Sequence, residues 1–213
     1  MPQRSVMKRR QIVLGLGGLL GAGTLPQRAN STQSLDGKKA PPFDVLDTSG
    51  QSRTLSEFKG KIIVLEWTSP SCPFVRAQYA SGKMQELQGW ARKQDIVWLS
   101  VLSTNPARGD YLAPQKAAMF NQERKAQPTA LLMDSSGQMG RAYGARNTPH
   151  MFVVNGAGLI AYAGAIDTKP TVDESVVPKS RNLVRAALED LLAGRSVATP
   201  MTASYGCLVG YSA

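Results

Sequence analysis

The run Lys61-Ile62-Ile63-Val64-Leu65-Glu66-Trp67 constrains this chain more than any other stretch. It is apolar almost without a break, the mark of a strand buried on both faces, which needs strands beside it and layers above and below. The next segment changes period. Ala77, Ala80, Met84, Leu87 and Ala91 fall at spacings of three and four, so Pro73 to Arg92 reads as one helix with a single apolar face. A short polar turn, Thr68 to Cys72, joins the two.

The rest of the chain extends this pattern. Ala40-Pro41-Pro42-Phe43-Asp44-Val45 reads as a short lead-in strand limited by its prolines, and Asp47-Thr48-Ser49-Gly50 as a turn. Ile96 to Leu102 is a second buried strand, Ala113 to Lys125 a helix, Thr129 to Met133 a short strand, and Ser136-Gly137 a turn. Met151 to Val154 and Leu159 to Ala163 flank Asn155-Gly156-Ala157-Gly158, a hairpin signal. Asp167 to Lys179 is polar and reads as a surface loop. Leu183, Val184, Ala187, Leu188, Leu191 and Leu192 mark a last helix, closed by Gly194. The expected fold is an α/β sandwich whose central mixed sheet, parallel in part and antiparallel at one end, is covered by helices on both faces.

Composition narrows the functional classes. Hydrophobic residues make up 42% and charged residues 19%, which argues for a globular core. With one histidine and two cysteines, a structural zinc site built from this chain alone is disfavoured, and a disulfide-framework miniprotein is excluded. The formal charge is +10, but the first 30 residues hold five basic residues and no acid, so the remainder carries +5. Those charges are dispersed, which reads as a solvated surface rather than a nucleic-acid footprint.

Residues 1–30 have the order of an export signal: a basic start, an apolar stretch from Ile12 to Leu20 with a glycine-rich end, and a polar close. Arg9-Arg10 before Gln11-Ile12-Val13 resembles the twin-arginine form. An uncleaved anchor helix is the other reading, although the apolar stretch is short for spanning. Export would place the mature protein in the periplasm or otherwise outside the reducing cytosol, touching the membrane only in transit.

The chemistry centres on Cys72. It precedes Pro73, which suits a first helical position, so Cys72 is expected at the helix N-cap, where free N–H groups and the helix dipole favour a thiolate. We therefore expect a reachable, ionised sulfur. The alternative is an inert buried cysteine.

The chain from about Lys39 to Leu192 resembles the thioredoxin-fold redoxins, the group of thioredoxins, exported thiol reductases and peroxiredoxins. The resemblance rests on Ala40-Pro41-Pro42-Phe43, Leu55-Ser56-Glu57-Phe58-Lys59-Gly60-Lys61, the turn from Trp67 to Cys72, and Thr148-Pro149-His150-Met151-Phe152-Val153. With Tyr205-Gly206-Cys207 near the end, it is most similar to a peroxiredoxin-like branch of the AhpC/TSA and thioredoxin-like superfamily. It implies a redoxin domain over 39–194 and a tail, 195–213, carrying Cys207. It further implies Cys72 as the attacking thiol and a cis peptide bond before Pro149, with Thr148 and Pro149 offering backbone groups to substrate; beside the resemblance, Trp67, Phe74 and Tyr79 read either as an apolar rim that contacts substrate or as side chains that only pack. Glu66 matches the buried acid that accepts or delivers a proton during exchange; a Glu paired with a nearby Lys is the plainer reading.

Two departures matter. The second cysteine of the C-x-x-C motif is replaced by Val75, and the peroxidatic pattern P-x-x-x-[ST]-x-x-C meets Leu65 where proline is required, although Ser69 fits the hydroxyl position. Cys207 could resolve a bond formed by Cys72, pair with another protein, or be unrelated. The implied partners are a protein disulfide or a hydroperoxide as substrate, and an external thiol reductant. His150 is a strand residue or a proton relay. Cys72 and His150 alone make a poor copper site, so no metal or other cofactor is expected, though a non-enzymatic binding or copper-delivery module on the same fold stays open.

Overall fold

The computed structural model describes residues 37–211; the expected export signal over 1–30 lies outside them. In chain order the elements are β1 (Asp44–Leu46), β2 (Ser52–Thr54), β3 (Ile63–Trp67), α1 (Pro73–Ala80), α2 (Lys83–Lys93), β4 (Val97–Leu102), α3 (Pro114–Glu123), β5 (Ala130–Met133), α4 (Gln138–Tyr143), β6 (Asn147–Thr148), β7 (His150–Val154), β8 (Ile160–Gly164), α5 (Leu183–Leu192) and β9 (Cys207–Leu208). The main sheet has the order β5-β4-β3-β7-β8. Its β3, β4 and β5 run parallel, while β7 pairs antiparallel with β3 and β8 antiparallel with β7. This is the mixed sheet expected from the sequence, with β3 at its centre and wholly buried.

Alternation along the strands divides the core in two. Val64, Trp98, Met151, Val153 and Tyr162 pack beneath α1, α2 and α5, against Val75, Tyr79, Met84, Leu87, Val184 and Leu188. Ile63, Leu65, Trp67, Leu99, Val101 and Phe152 face the other way, against Met139 and Tyr143 of α4 and the lead-in residues Ala40, Phe43 and Phe58. Helices cover both faces. At about 25 cal/mol per Å² of apolar surface removed from water, these two layers are the main stabilising term. No helix among the described residues is long and apolar enough to cross a membrane.

Three expectations need correction. The helix expected from Pro73 to Arg92 is two helices. Ser81 Oγ donates to the Gln78 carbonyl at 3.0 Å, and Gly82, at φ +78°, turns the chain before α2 begins. Ala80, expected on the buried face, is consequently exposed. Helix α4 was not expected; its six residues stand between Gly137 and Gly144, and the Asp134 carboxylate accepts from the Met139 and Gly140 N–H groups at 3.2 and 2.8 Å. The segment read as a surface loop begins at a buried residue, Asp167, and also buries Val177.

Candidate active site

Strand β3 ends at Trp67, and the turn that follows delivers Cys72 to the N-cap of α1, with extended backbone (φ −79°, ψ 117°) and Pro73 opening the helix. The Cys72 carbonyl accepts the Arg76 N–H at 3.0 Å, the first bond of that helix. The Thr148–Pro149 peptide bond is cis, as expected from the resemblance. It lies directly across from the sulfur: Cys72 Sγ–H donates to the Thr148 carbonyl oxygen at 2.9 Å.

The tail completes the site. Strand β9 pairs antiparallel with β6, placing Cys207 opposite Thr148 and Leu208 opposite Asn147. The Val209 N–H donates to the Arg146 carbonyl at 3.0 Å, and Cys207 packs against the cluster that holds Cys72. Both cysteines are free thiols. Upstream, the Thr202 hydroxyl accepts the Ala165 N–H at 3.0 Å and meets the Tyr162 hydroxyl at 2.7 Å. Downstream, the Tyr211 hydroxyl donates to the Ala145 carbonyl at 2.8 Å, and its ring fills the space left by Gly137 and Gly140.

The expected reachable thiol is therefore corrected in one respect. Cys72 has no exposed surface (0%), because Phe74, Tyr205 and Cys207 pack against its cluster and the tail strand lies over it. Cys207 is only half-buried. The two sulfurs also differ in acidity. Burial opposes ionisation of Cys72, but Thr148, the Cys207 thiol and the Val75 N–H together outweigh it and hold its pKa below the ordinary thiol value. Burial and the neighbouring Cys72 push Cys207 up to about 11, with Arg76 opposing. Cys72 is thus the sulfur that ionises first.

The other expected site residues fall in different places. Phe74 lies at the rim, its ring centroid 5.6 Å from that of Tyr205. Trp67, expected to contact substrate, is fully buried on the opposite face of the sheet. It packs on Tyr143 and Phe152 at 5.5 and 5.2 Å, and its Nε1–H donates to Ser103 Oγ at 3.0 Å. The cause is strand parity: Leu65 and Trp67 share the face away from α1.

Glu66 points under α1 and α2. It accepts from the Tyr79 hydroxyl (2.9 and 3.1 Å), Gln88 Nε2 (3.2 Å), Trp98 Nε1 (2.8 Å) and Ser100 Oγ (2.9 Å). Neither a lysine nor Cys72 is among these partners. His150 is buried, its Nδ1 accepts the Arg146 N–H at 3.3 Å, and its ring lies 4.5 Å from Phe152. Burial, with Arg146 nearby, lowers its pKa to about 4. It is a neutral strand residue at ordinary pH.

Sequence reasoning missed a polar cluster beside the sulfurs. Tyr205 reaches Asp167, which Gln78 of α1 also holds. Its only trace in the sequence is the tyrosine two residues before Cys207.

Residues 37–166 match the AhpC/TSA family model. The chain is 28% identical over 154 residues to the thiol:disulfide interchange protein DsbE of Escherichia coli (strain K12), covering 70% of this chain and 76% of that protein. Among solved structures, a hypothetical protein from Sinorhizobium meliloti 1021 superposes with a TM-score of 0.73 at 22% identity, covering 85% of this chain and 97% of that one. An uncharacterized conserved protein from Geobacillus kaustophilus gives 0.70 at 24% identity, covering 83% and 92%. The thioredoxin domain of a thiol-disulfide oxidoreductase from Bacteroides vulgatus gives 0.50 at 17% identity, covering 69% and 98%. The sheet and its covering helices form a thioredoxin-like fold, and the chain, matched by the family model over more than half its length, belongs to the AhpC/TSA family.

Proposed function

We propose that this protein is an exported thiol–disulfide oxidoreductase in which Cys72 attacks and Cys207 resolves. The observation that carries this reading is that both cysteines meet at Thr148: its carbonyl accepts the Cys72 thiol, and Cys207 stands opposite it in the β6–β9 pair and packs against the cluster that holds Cys72. In the first step, with the tail strand lifted from Cys72, its thiolate attacks one sulfur of a substrate disulfide. The substrate S–S bond breaks, one half leaves as a thiolate, and the other is held by Cys72 in a mixed disulfide. In the second step Cys207 gives up its proton to solvent and attacks Cys72 Sγ, forming the Cys72–Cys207 bond. The substrate's second sulfur leaves and takes up a proton. The substrate is reduced by two electrons and the cysteine pair is oxidised.

An external thiol must then reset the pair. It meets Cys207 first, because Cys72 is covered, and attack there expels Cys72, the more acidic sulfur and so the better leaving group. Thr148 and Pro149 form the wall against which the reacting chain lies. The Arg9-Arg10 segment supports export through the twin-arginine route. The DsbE relative supports a protein disulfide as substrate.

Insulin reduction with a dithiol donor tests this reading, with hydrogen peroxide consumption run in parallel. Insulin is expected to be reduced by the wild type and not by Cys72→Ser. Peroxide turnover without insulin reduction would overturn the assignment in favour of a peroxidase.

A further inference from the structure

The strand that carries Cys207 is tied down by a side chain that the exchange steps do not use. The Tyr205 hydroxyl donates to Asp167 Oδ1 at 2.7 Å. The other carboxylate oxygen, Oδ2, accepts from Gln78 Nε2 at 2.7 Å, and Gln78 also reaches the Tyr205 oxygen at 3.4 Å. The Lys169 N–H donates to Oδ1 at 3.0 Å. Asp167 is 4% exposed and Gln78 1%, so the bond between them lies away from solvent, while Tyr205, half-buried, reaches it from the rim. Gln78 belongs to α1, the helix capped by Cys72, and Asp167 follows β8. Tyr205 therefore joins the tail to the helix and the sheet at one point.

Between this point and the sulfur stands Gly206. Its φ is +118°, and a Cβ there would meet the Thr148 carbonyl oxygen at 1.9 Å. The backbone passes this close only because the residue is glycine, and the next residue sets its thiol on Cys72. Tyr205, Gly206 and Cys207 thus act as anchor, close-contact point and reacting group.

We propose that Tyr205 is a positioning residue for disulfide exchange: its bond to Asp167 latches the C-terminal strand over the site, holding Cys207 on Cys72 and gating outside access to Cys72. This rests on Cys72 being the working sulfur. Since Cys72 has no exposed surface, an outside reagent reaches it in proportion to the fraction of molecules whose strand is lifted. A hydrogen bond to a carboxylate shifts such an equilibrium by roughly tenfold or more.

The test is the rate at which iodoacetamide alkylates Cys72 in the reduced full chain, read by mass spectrometry. Tyr205→Phe is expected to raise it roughly tenfold. Asp167→Ala, which also frees Gln78 and the Lys169 N–H, should raise it at least as much, and adding Tyr205→Phe to Asp167→Ala should raise it little further, because the Tyr205 bond is already gone. Tyr143→Phe is the control. It removes another tyrosine hydroxyl bond, to the Pro41 carbonyl on the opposite face, and should leave the Cys72 rate unchanged. An unchanged rate in Tyr205→Phe, or an equal rise in Tyr143→Phe, would overturn the latch. Failure of the underlying reading has a separate signature: diamide would leave both thiols of the wild type free, whatever the alkylation rates.

Discussion

Replacing Glu66 separates a structural acid from a proton carrier. Its oxygens take all their hydrogen bonds from Tyr79, Gln88, Trp98 and Ser100. In Glu66→Gln the amide oxygen can occupy the Oε2 position, where Trp98, Ser100, Gln88 and Tyr79 all donate. Only the new amide N–H groups are badly placed, a loss of about 1 kcal/mol. Glu66→Leu is different in kind. The Trp98 Nε1–H has no acceptor left and cannot turn away, and the Gln88 and Ser100 donors lose the same oxygen. At about 1–3 kcal/mol for each of these three stranded donors, the cost is roughly 3–9 kcal/mol. A domain of this size loses about 2–4 °C of Tm per kcal/mol. Glu66→Gln should therefore melt a few degrees below wild type and Glu66→Leu roughly 10 °C or more below it, by differential scanning calorimetry. In insulin reduction Glu66→Gln should stay within a few-fold of wild type. A Glu66→Gln protein that melts normally but loses activity by roughly a hundredfold, as removal of an acid–base group does, would show that the acid serves the thiol and would refute this reasoning.

Further outcomes follow from the two sulfurs and the histidine. Cys207→Ala removes a donor that holds Cys72 acidic, so the midpoint of the ultraviolet thiolate absorbance of Cys72 should move to higher pH; an unmoved midpoint would contradict the contact. The rate of alkylation of Cys72 should rise with pH and level off above a midpoint below that of an unperturbed cysteine, since the thiolate is the reacting form. His150, with its pKa depressed to about 4, binds a proton less readily folded than unfolded. Its contribution is intact above the unfolded value near 6.5 and is lost as pH falls from there toward 4, a change of about 3 kcal/mol measurable by urea unfolding. His150→Gln should flatten that part of the pH dependence, and a wild type equally stable at pH 4 and 7 would count against the burial argument.

The buried strands could be read from the sequence because each is apolar on both sides, a pattern that needs no knowledge of its partners. The neighbourhood of Cys72 was equally local: a strand, a polar turn and a proline suffice to place it at a helix N-terminus. The break at Gly82 was hidden because Ala77, Met84, Leu87 and Ala91 stay buried across it, so the period survives while the axis changes. Helix α4, with six residues, is too short to show a period. Trp67 could have been placed correctly by parity, since it stands an even number of residues from Leu65 and an odd number from Val64. The cover over Cys72 was not legible. Thr148 and Cys207 lie 59 residues apart, and the tail between Arg195 and Gly206 is polar and exposed enough to read as loose chain. What fixes it are single contacts made by Thr202, Tyr205 and Tyr211, each meaningful only once its socket exists.

The central claim is that two thiols far apart in the chain form one redox pair. Peptide mapping of the full protein under non-reducing conditions, after mild oxidation with diamide, tests it directly. A single cross-linked peptide joining Cys72 and Cys207, lost on treatment with dithiothreitol and absent from Cys207→Ser, is the expected result. Two free thiols, or cysteines bonded only between separate molecules, would contradict it.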